Sequence, residues 1–102
     1  MNLRDLARDQ PCQVRLPGVC NGNPRTTVLA HVRLVGITGI GLKAPDILGA
    51  HCCSDCHDAV DRRTRPKHLT KEALDLALYE GVARTINKLI QQGNLKIEVT
   101  PS

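Results

Sequence analysis

The side chains of this sequence that are best suited to chemistry are its thiols. There are five cysteines in 102 residues, and two of them form the motif Cys53-Ser-Asp-Cys56. Two thiolates separated by two residues can reach one tetrahedral metal ion from a single tight turn. Cys12 and Cys20, in a segment with several prolines and glycines, supply a second pair. The four thiolates predict a closed structural zinc site that ties the N-terminal loop to the segment after residue 53.

Other chemistry of the thiols must be weighed against zinc binding. The N-terminal residues alternate charged and apolar types without a signal-peptide core, so we expect a cytoplasmic protein with reduced cysteines. An odd number of cysteines also fits a disulfide framework poorly. A redox pair at Cys53 and Cys56 and buried cysteines without a ligand are the alternatives. We expect Cys52 to be a small buried apolar residue that points away from the metal.

Histidine and aspartate form a second group of interest. His57 directly follows Cys56, and Asp61 lies four residues further on. These two positions share one face of a helix, so an imidazole and a carboxylate could hold one cation and leave coordination positions for water and a phosphate oxygen. The alternative is a plain surface hydrogen bond. His31 lies in a run of aliphatic residues, where a satisfied, partly buried histidine is the common case.

Local patterns predict the elements that position these side chains. Residues 26–34 are rich in β-branched types and predict a strand that contains His31. After a glycine-rich loop, residues 47–51 predict a second strand antiparallel to the first. A short helix is expected after Cys56, ending before Pro66. Asn2 is a candidate cap for one or two helical turns over residues 3–8.

The last third of the chain predicts a long amphipathic helix over about residues 70–92. Thr70 is a suitable N-cap, Gly93 suits the position after the helix, and apolar residues repeat at helical spacing between them. Gly81 interrupts the pattern and indicates close packing. Residues 95–99 alternate like a half-buried strand. We expect one α+β domain over residues 1–102, with the chemistry in residues 12–63 and the helix as architecture.

Composition narrows the classes of function. The chain has 14 Lys+Arg against 10 Asp+Glu, a net charge of +4, which favours a polyanionic partner. With no Trp, no Phe and one Tyr, it lacks the rings by which many modules stack single-stranded bases. No apolar run approaches the roughly 20 residues of a membrane span. The candidate contacts to DNA phosphates, unless they form only a solvated basic surface, are Arg62, Arg63, Arg65, Lys67 and Lys71, with Arg25, Arg33 and Lys43 on the hairpin side.

The order of these motifs resembles that of the HNH, or ββα-metal, endonucleases. The matching residues are Ala30-His31 at the end of the first strand and the Cys53–Cys56 pair followed by His57. More narrowly, the sequence looks like the YbcO family of proposed nucleases from lambdoid phages and prophages. The resemblance implies a small zinc-stabilised ββα-metal domain with an added C-terminal helix and short strand. It also implies a metal-dependent DNA endonuclease in phage recombination or DNA processing.

The resemblance further implies roles for individual residues. His31 would be the general base, and His57 with Asp61 would hold Mg²⁺ or another catalytic divalent cation. Ala30 stands where many members carry a metal ligand, and the middle Asn of the motif has no Asn counterpart; Asp46 is the best substitute and His51 a weaker one. DNA would be held through its backbone with weak sequence specificity.

Three functions therefore compete. The first is the HNH-type endonuclease that the resemblance implies. The second is a zinc-stabilised DNA-binding or recombination-accessory module without catalysis, and the third is a thiol redox protein built on Cys53 and Cys56. The amphipathic C-terminal helix could also serve a homodimer.

Overall fold

The computed structural model describes residues 2–34, 36–37 and 43–96. These residues form a small α+β domain with a two-stranded sheet, which confirms the predicted class. Short 3₁₀ turns precede both strands, at Pro24–Thr26 and Asp46–Leu48. The helices and strands in chain order are α1 (Leu3–Leu6), β1 (Val28–His31), β2 (Gly49–Cys52), α2 (Ser54–Val60) and α3 (Lys71–Gln91).

Strands β1 and β2 form the antiparallel hairpin that the sequence predicts. Ala30 lies opposite Ala50, and His31 lies opposite Gly49. Gly49 is needed at this position because a Cβ there would lie 2.6 Å from the Leu29 Cγ. Both strands begin later than predicted, since each is preceded by a 3₁₀ turn, the first of which is capped by a side chain before it. The hairpin therefore presents His31 at the very end of β1.

The edge of β2 that faces away from β1 is covered by α3 and the N-terminal loop rather than by a third strand. The His51 backbone N–H donates to Thr85 Oγ1 at 2.9 Å, from the middle of α3. On the same edge, the Gln13 N–H donates to the His51 carbonyl at 2.7 Å. The backbone groups of a sheet edge otherwise face solvent or another chain. Helix α3 and the N-terminal loop thus protect the strand that leads to the cysteine pair.

Helix α3 has nearly the bounds that the sequence predicts. The Thr70 hydroxyl accepts from the Ala73 N–H at 3.1 Å, and Gly93 ends the helix in a left-handed conformation with φ of 76°. Gly81 lies on β2 and the N-terminal loop; a Cβ there would lie 2.8 Å from a methyl of Val14. The predicted close packing is confirmed. No strand occurs at residues 95–96, and residues 97–99 of the predicted strand lie outside the described residues.

The core consists of aliphatic side chains and cysteines. The largest side chains that are fully buried are His51, Thr85 and three cysteines, Cys52, Cys53 and Cys56. The cysteine cluster therefore lies at the centre of the packing rather than on its surface. At the N-terminus, α1 is short but capped as expected, with the Asn2 side chain accepting from a backbone N–H at 2.9 Å. Among the described residues no helix is both long and apolar enough to cross a membrane.

Candidate functional site

The four predicted zinc ligands converge on one point. The sulfur atoms of Cys12, Cys20, Cys53 and Cys56 all lie within 4.8 Å of one another, and none of these residues forms a disulfide. Thiolates at about 2.3 Å from a tetrahedral zinc ion would be about 3.8 Å apart. The Cys20 and Cys53 sulfurs are separated by 3.9 Å. The four thiols could therefore hold a metal ion with little movement.

Backbone N–H groups point at two of these sulfurs and favour their negatively charged form. The Cys56 N–H points to the Cys53 sulfur at 3.4 Å, because Cys53 is the N-cap of α2. The Arg15 N–H points to the Cys12 sulfur at 3.5 Å, in a turn where Arg15 takes a left-handed φ of 54°. Hydrogen bonds of this kind favour the charged form of a group. Each pair of cysteines thus has a local turn that suits thiolate ligands.

Cys52 lies next to these four cysteines. Its side chain is fully buried, as predicted, and it is not part of the four-sulfur group. A hydrogen bond between the Cys52 and Cys12 thiols lowers the pKa of Cys12. The same contact raises the pKa of Cys52. Cys52 is therefore a buried fifth thiol beside the four-sulfur group.

The proposed general base has a carboxylate partner. His31 Nε2 lies 2.7 Å from Asp46 Oδ1, which joins the end of β1 to the 3₁₀ turn before β2. The hydrogen bond to His31 lowers the pKa of Asp46, and the nearby charge of Arg4 acts in the same direction. Arg4 Nε lies 3.6 Å from Asp46 Oδ2. The pair is thus an imidazole held by an ionised carboxylate.

His51, the weaker substitute for the middle Asn, lies elsewhere. Its side chain is 1% exposed, and neither ring nitrogen has a hydrogen-bond partner among the described residues. Burial lowers the pKa of His51, with a smaller contribution from the charge of Lys88. An uncharged imidazole in the core is consistent with a packing role. Asp46, and not His51, contacts His31.

The predicted cation ligands lie side by side on α2. His57 Nε2 is 3.2 Å from Asp61 Oδ2. Two arginines share the same carboxylate, with Arg33 Nη2 at 3.3 Å from Oδ1 and Arg63 Nη2 at 3.5 Å from Oδ2. An imidazole nitrogen and a carboxylate oxygen suit a borderline or hard divalent ion. Such an ion would have to share Asp61 with these arginines or displace them.

The base candidate and the cation candidate face one cavity. This opening, which we call the His31 cavity, has a volume of about 480 Å³ and is lined by both His31 and Asp61. His57 is linked to it through Asp61. Its lining combines apolar side chains, from Val60 and Leu78, with charged ones such as Arg62. The two halves of the proposed chemistry therefore meet in one space that water and substrate can enter.

The basic residues after α2 border this cavity in part. Arg62 lines the His31 cavity and a second one of about 320 Å³, which Arg65 also lines; we call it the Arg65 cavity. Arg63 is engaged with Asp58 and Asp61. Lys67 is exposed and lines neither cavity. Arg62, Arg65 and Lys71 are therefore better placed than Arg63 and Lys67 among the predicted phosphate contacts after residue 61.

Comparison with known proteins agrees with this arrangement of motifs. A family model described as "Putative nuclease YbcO" matches residues 1–94. The chain belongs to the YbcO family. Two relatives named as such nucleases, one from Escherichia coli K12 and one from Enterobacteria phage 82, are each 50% identical to it over 97 residues, which is 93% of this chain and 97% of the relative.

A solved structure is also similar to this YbcO-family chain. It is described as "Structure of a putative bacteriophage protein from Escherichia coli str. K-12 substr. MG1655", and the match has a TM-score of 0.75 at 41% identity. The match covers 90% of this chain and all of the other, 100%. The fold described above is therefore shared with a phage-related relative.

Sequence reasoning missed one part of the YbcO site. The long helix was expected to be architecture, with Lys71 at its start as a candidate phosphate contact, yet Asp75 and Tyr79 of α3 also line the His31 cavity. The signal was present, because positions four residues apart share one helix face. It could not be used without knowing that this face meets the end of β1. Arg4 beside Asp46 was missed for the same reason.

Proposed function

We propose that this YbcO-family chain is a metal-dependent DNA endonuclease of the HNH type. The observation that carries the proposal is the His31–Asp46 hydrogen bond of 2.7 Å, together with a cavity that both His31 and Asp61 line. The order β1, β2, α2 supports a ββα-metal arrangement, with the cysteine pair at the start of the helix. The names of the relatives support a nuclease, and the phage relative supports a role in phage DNA recombination or processing.

His31 is suited to remove a proton from water. When the Asp46 carboxylate accepts the hydrogen bond from Nε2–H, the imidazole keeps Nδ1 free to accept a proton. A positioned general base of this kind contributes roughly 10²–10⁴ in rate. Arg4 keeps Asp46 charged and in place. Asp46 thus performs the bracing that the middle Asn performs in the motif, by a different side chain.

His57 and Asp61 are the residues that would hold the catalytic cation, Mg²⁺ or another divalent ion. When bound, such an ion supplies positive charge to the phosphate and to the departing oxygen. Asp61 is 14% exposed, so its carboxylate is partly shielded from water and has a fixed direction. Arg33 and Arg63 hold that direction in the absence of the ion.

The four thiols would hold a structural zinc ion. A set of four cysteines leaves no coordination position for substrate. The two pairs come from the N-terminal loop and from the start of α2, so the metal would fix the loop against the helix that carries His57 and Asp61. The zinc ion would affect activity only by holding the N-terminal loop and α2 in place.

DNA would be held through its phosphates. Arg62, Arg63, Arg65 and Lys67 are all exposed and lie directly after the helix with the cation ligands. Contacts to phosphates fix the position of the duplex but carry no sequence information. The binding should therefore be weakly sequence-specific and strongly salt-dependent. A homodimer and a cytoplasmic location stay predictions.

One observation favours the second candidate, a zinc-stabilised DNA-binding module without catalysis. Ala30 offers no ligand, and both oxygens of Asp61 are already paired with Arg33, Arg63 or His57. In that case the charged side chains that line the His31 cavity would bind phosphate but not hydrolyse it.

Plasmid nicking separates the two candidates. We expect the purified zinc-loaded protein to nick supercoiled DNA with added Mg²⁺ or Mn²⁺, and His31→Ala to nick roughly 10²–10⁴ times more slowly. His68→Ala is a matched control, because His68 is exposed and bonds only the Pro17 carbonyl. DNA binding without cleavage of any DNA form would leave only the binding module, and equal cleavage by His31→Ala would refute His31 as the general base.

A further inference from the structure

The single aromatic residue of the chain lies in the His31 cavity. Tyr79 lines it together with His31 and Asp61, and its side chain is partly exposed, at 37% for the whole residue. Exposed aromatic rings beside a charged groove are the means by which proteins hold unpaired bases. The chain contains one Tyr, no Trp and no Phe, and this one Tyr lies at the proposed site.

The cavity has the form of a site for a small polar ligand with an apolar body. Its volume of about 480 Å³ lies within the roughly 300–1,000 Å³ of small-molecule sites. Val60 and Leu78 contribute apolar side chains to the lining together with Tyr79, while Arg33, Arg62 and Lys71 contribute cationic groups. A nucleotide combines the same two properties, because its flat base suits apolar side chains and its phosphate suits cationic ones.

Lys71 and Arg62 connect this cavity to the next one. Both residues line the His31 cavity and the Arg65 cavity. Arg62 is also paired with Asp75 at 3.3 Å, whereas no ion pair of Lys71 is found within the described part of the chain. The two cavities with their shared basic border form a path for a strand that passes from Tyr79, past Lys71, to Arg65.

We propose that the His31 cavity binds an unpaired DNA nucleotide, with its base stacked on the Tyr79 ring and its phosphate beside Lys71. This inference rests on the proposed nuclease function and adds the class of substrate: single-stranded DNA, or duplex with an unpaired nucleotide at the cleavage point. A base within an intact duplex does not expose its face to the ring. The protein should therefore bind single strands better than duplex of the same length.

The test uses the tyrosine itself as the reporter. Because the chain contains one Tyr and no Trp, its intrinsic fluorescence comes from Tyr79 alone. We expect a ten-nucleotide oligo(dT), added without divalent cation, to quench this emission after correction for absorption. The matching dA·dT duplex and inorganic polyphosphate should quench it weakly. Equal quenching by all three would overturn the proposal, since charge alone would then explain binding.

Variants measured with labelled oligo(dT) separate stacking from charge. Tyr79→Leu should weaken binding by about tenfold or more, and Tyr79→Phe should bind within about twofold of wild type. Leu76→Ala is the matched control on the same helix, because Leu76 is 58% exposed and lines neither cavity. Unchanged binding by Tyr79→Leu would refute the stacked nucleotide.

The same variants distinguish this inference from the proposed nuclease. Tyr79-dependent binding of single strands without nicking by any form of the protein would keep the nucleotide site and refute the endonuclease. Nicking of intact duplex by Tyr79→Leu at the wild-type rate and KM would keep the endonuclease and refute the nucleotide site.

Discussion

Replacing Thr85 by valine should destabilise the protein, because the backbone N–H of His51 loses its hydrogen-bond partner. The Thr85 hydroxyl is 1% exposed at the residue level, accepts from the His51 N–H at 2.9 Å and donates to the Gly81 carbonyl at 2.7 Å. Valine has nearly the same shape, so the core stays filled. The Gly81 carbonyl still has its helical partner, but the His51 N–H at the edge of β2 has none.

The magnitude follows from that one donor. A buried donor left without a partner costs about 1–3 kcal/mol, and the added methyl returns at most about 0.8 kcal/mol. We therefore expect Thr85→Val to lower the free energy of unfolding by about 1–2 kcal/mol. For a domain of about 100 residues each kcal/mol corresponds to roughly 4–8 °C in Tm.

Urea unfolding followed by circular dichroism, at a fixed zinc concentration, measures this change. Thr85→Ser is the control, because it keeps the hydroxyl and loses only a methyl group, at about 1 kcal/mol. Amide exchange distinguishes the two: the His51 N–H should lose protection in Thr85→Val and keep it in Thr85→Ser. A valine variant as stable as wild type, with an unchanged His51 amide, would refute the reasoning about the strand edge.

Three further predictions concern packing, pH and metal. Gly81→Ala should lower the urea midpoint, because crowding against Val14 costs about 1–3 kcal/mol and the gain in helix propensity is only about 1 kcal/mol; a raised midpoint would contradict the close packing. The hydrogen bond from His31 lowers the pKa of Asp46. The stability that this bond adds to the folded protein is therefore present above the ordinary carboxyl pKa and is lost as pH falls through the lowered value. Asp46→Asn should therefore show a shallower loss of stability between pH 5 and pH 2 in acid titrations, and an unchanged slope would count against the pair. Elemental analysis should find about one zinc per chain, and Cys12→Ser should lose it and unfold at lower urea; full zinc content in that variant would remove Cys12 from the site.

The sequence predicts the elements of this fold better than it predicts their contacts. The hairpin and the bounds of α3 follow from local signals, because a cap such as Thr70 and a repeat of apolar residues act over a few positions. The bond between His51 and Thr85 joins residues 34 positions apart, and no local pattern encodes it. The same limit hid Tyr79, whose helix face is informative only when β1 is placed beside it.

For the site as well, local patterns predicted some residues, whereas contacts between distant residues could not be predicted. The two cysteine pairs could be matched by spacing, since thiolates that share a metal carry a recognisable separation. Asp46 was reached only through the resemblance to a known motif, and its 2.7 Å contact with His31 depends on how the loop before β2 returns to the hairpin. Cys52 is buried and outside the four-sulfur group, as predicted, but its contact with the Cys12 thiol depends on where the N-terminal loop lies and no local pattern encodes it.

A metal ion held by the four thiols, as proposed above, would link metal supply to the amount of folded protein. Cys20 and Cys53 are 33 residues apart, so their sulfurs meet only after the hairpin between them has closed. During synthesis no complete site exists until residue 56 has left the ribosome, and a fragment that ends before residue 53 holds only two of the four ligands. A metal ion that binds the closed site alone stabilises it by about 1.4 kcal/mol for each tenfold rise in free metal above the Kd. Cellular metal concentration would thereby set how long each copy of this protein survives proteolysis.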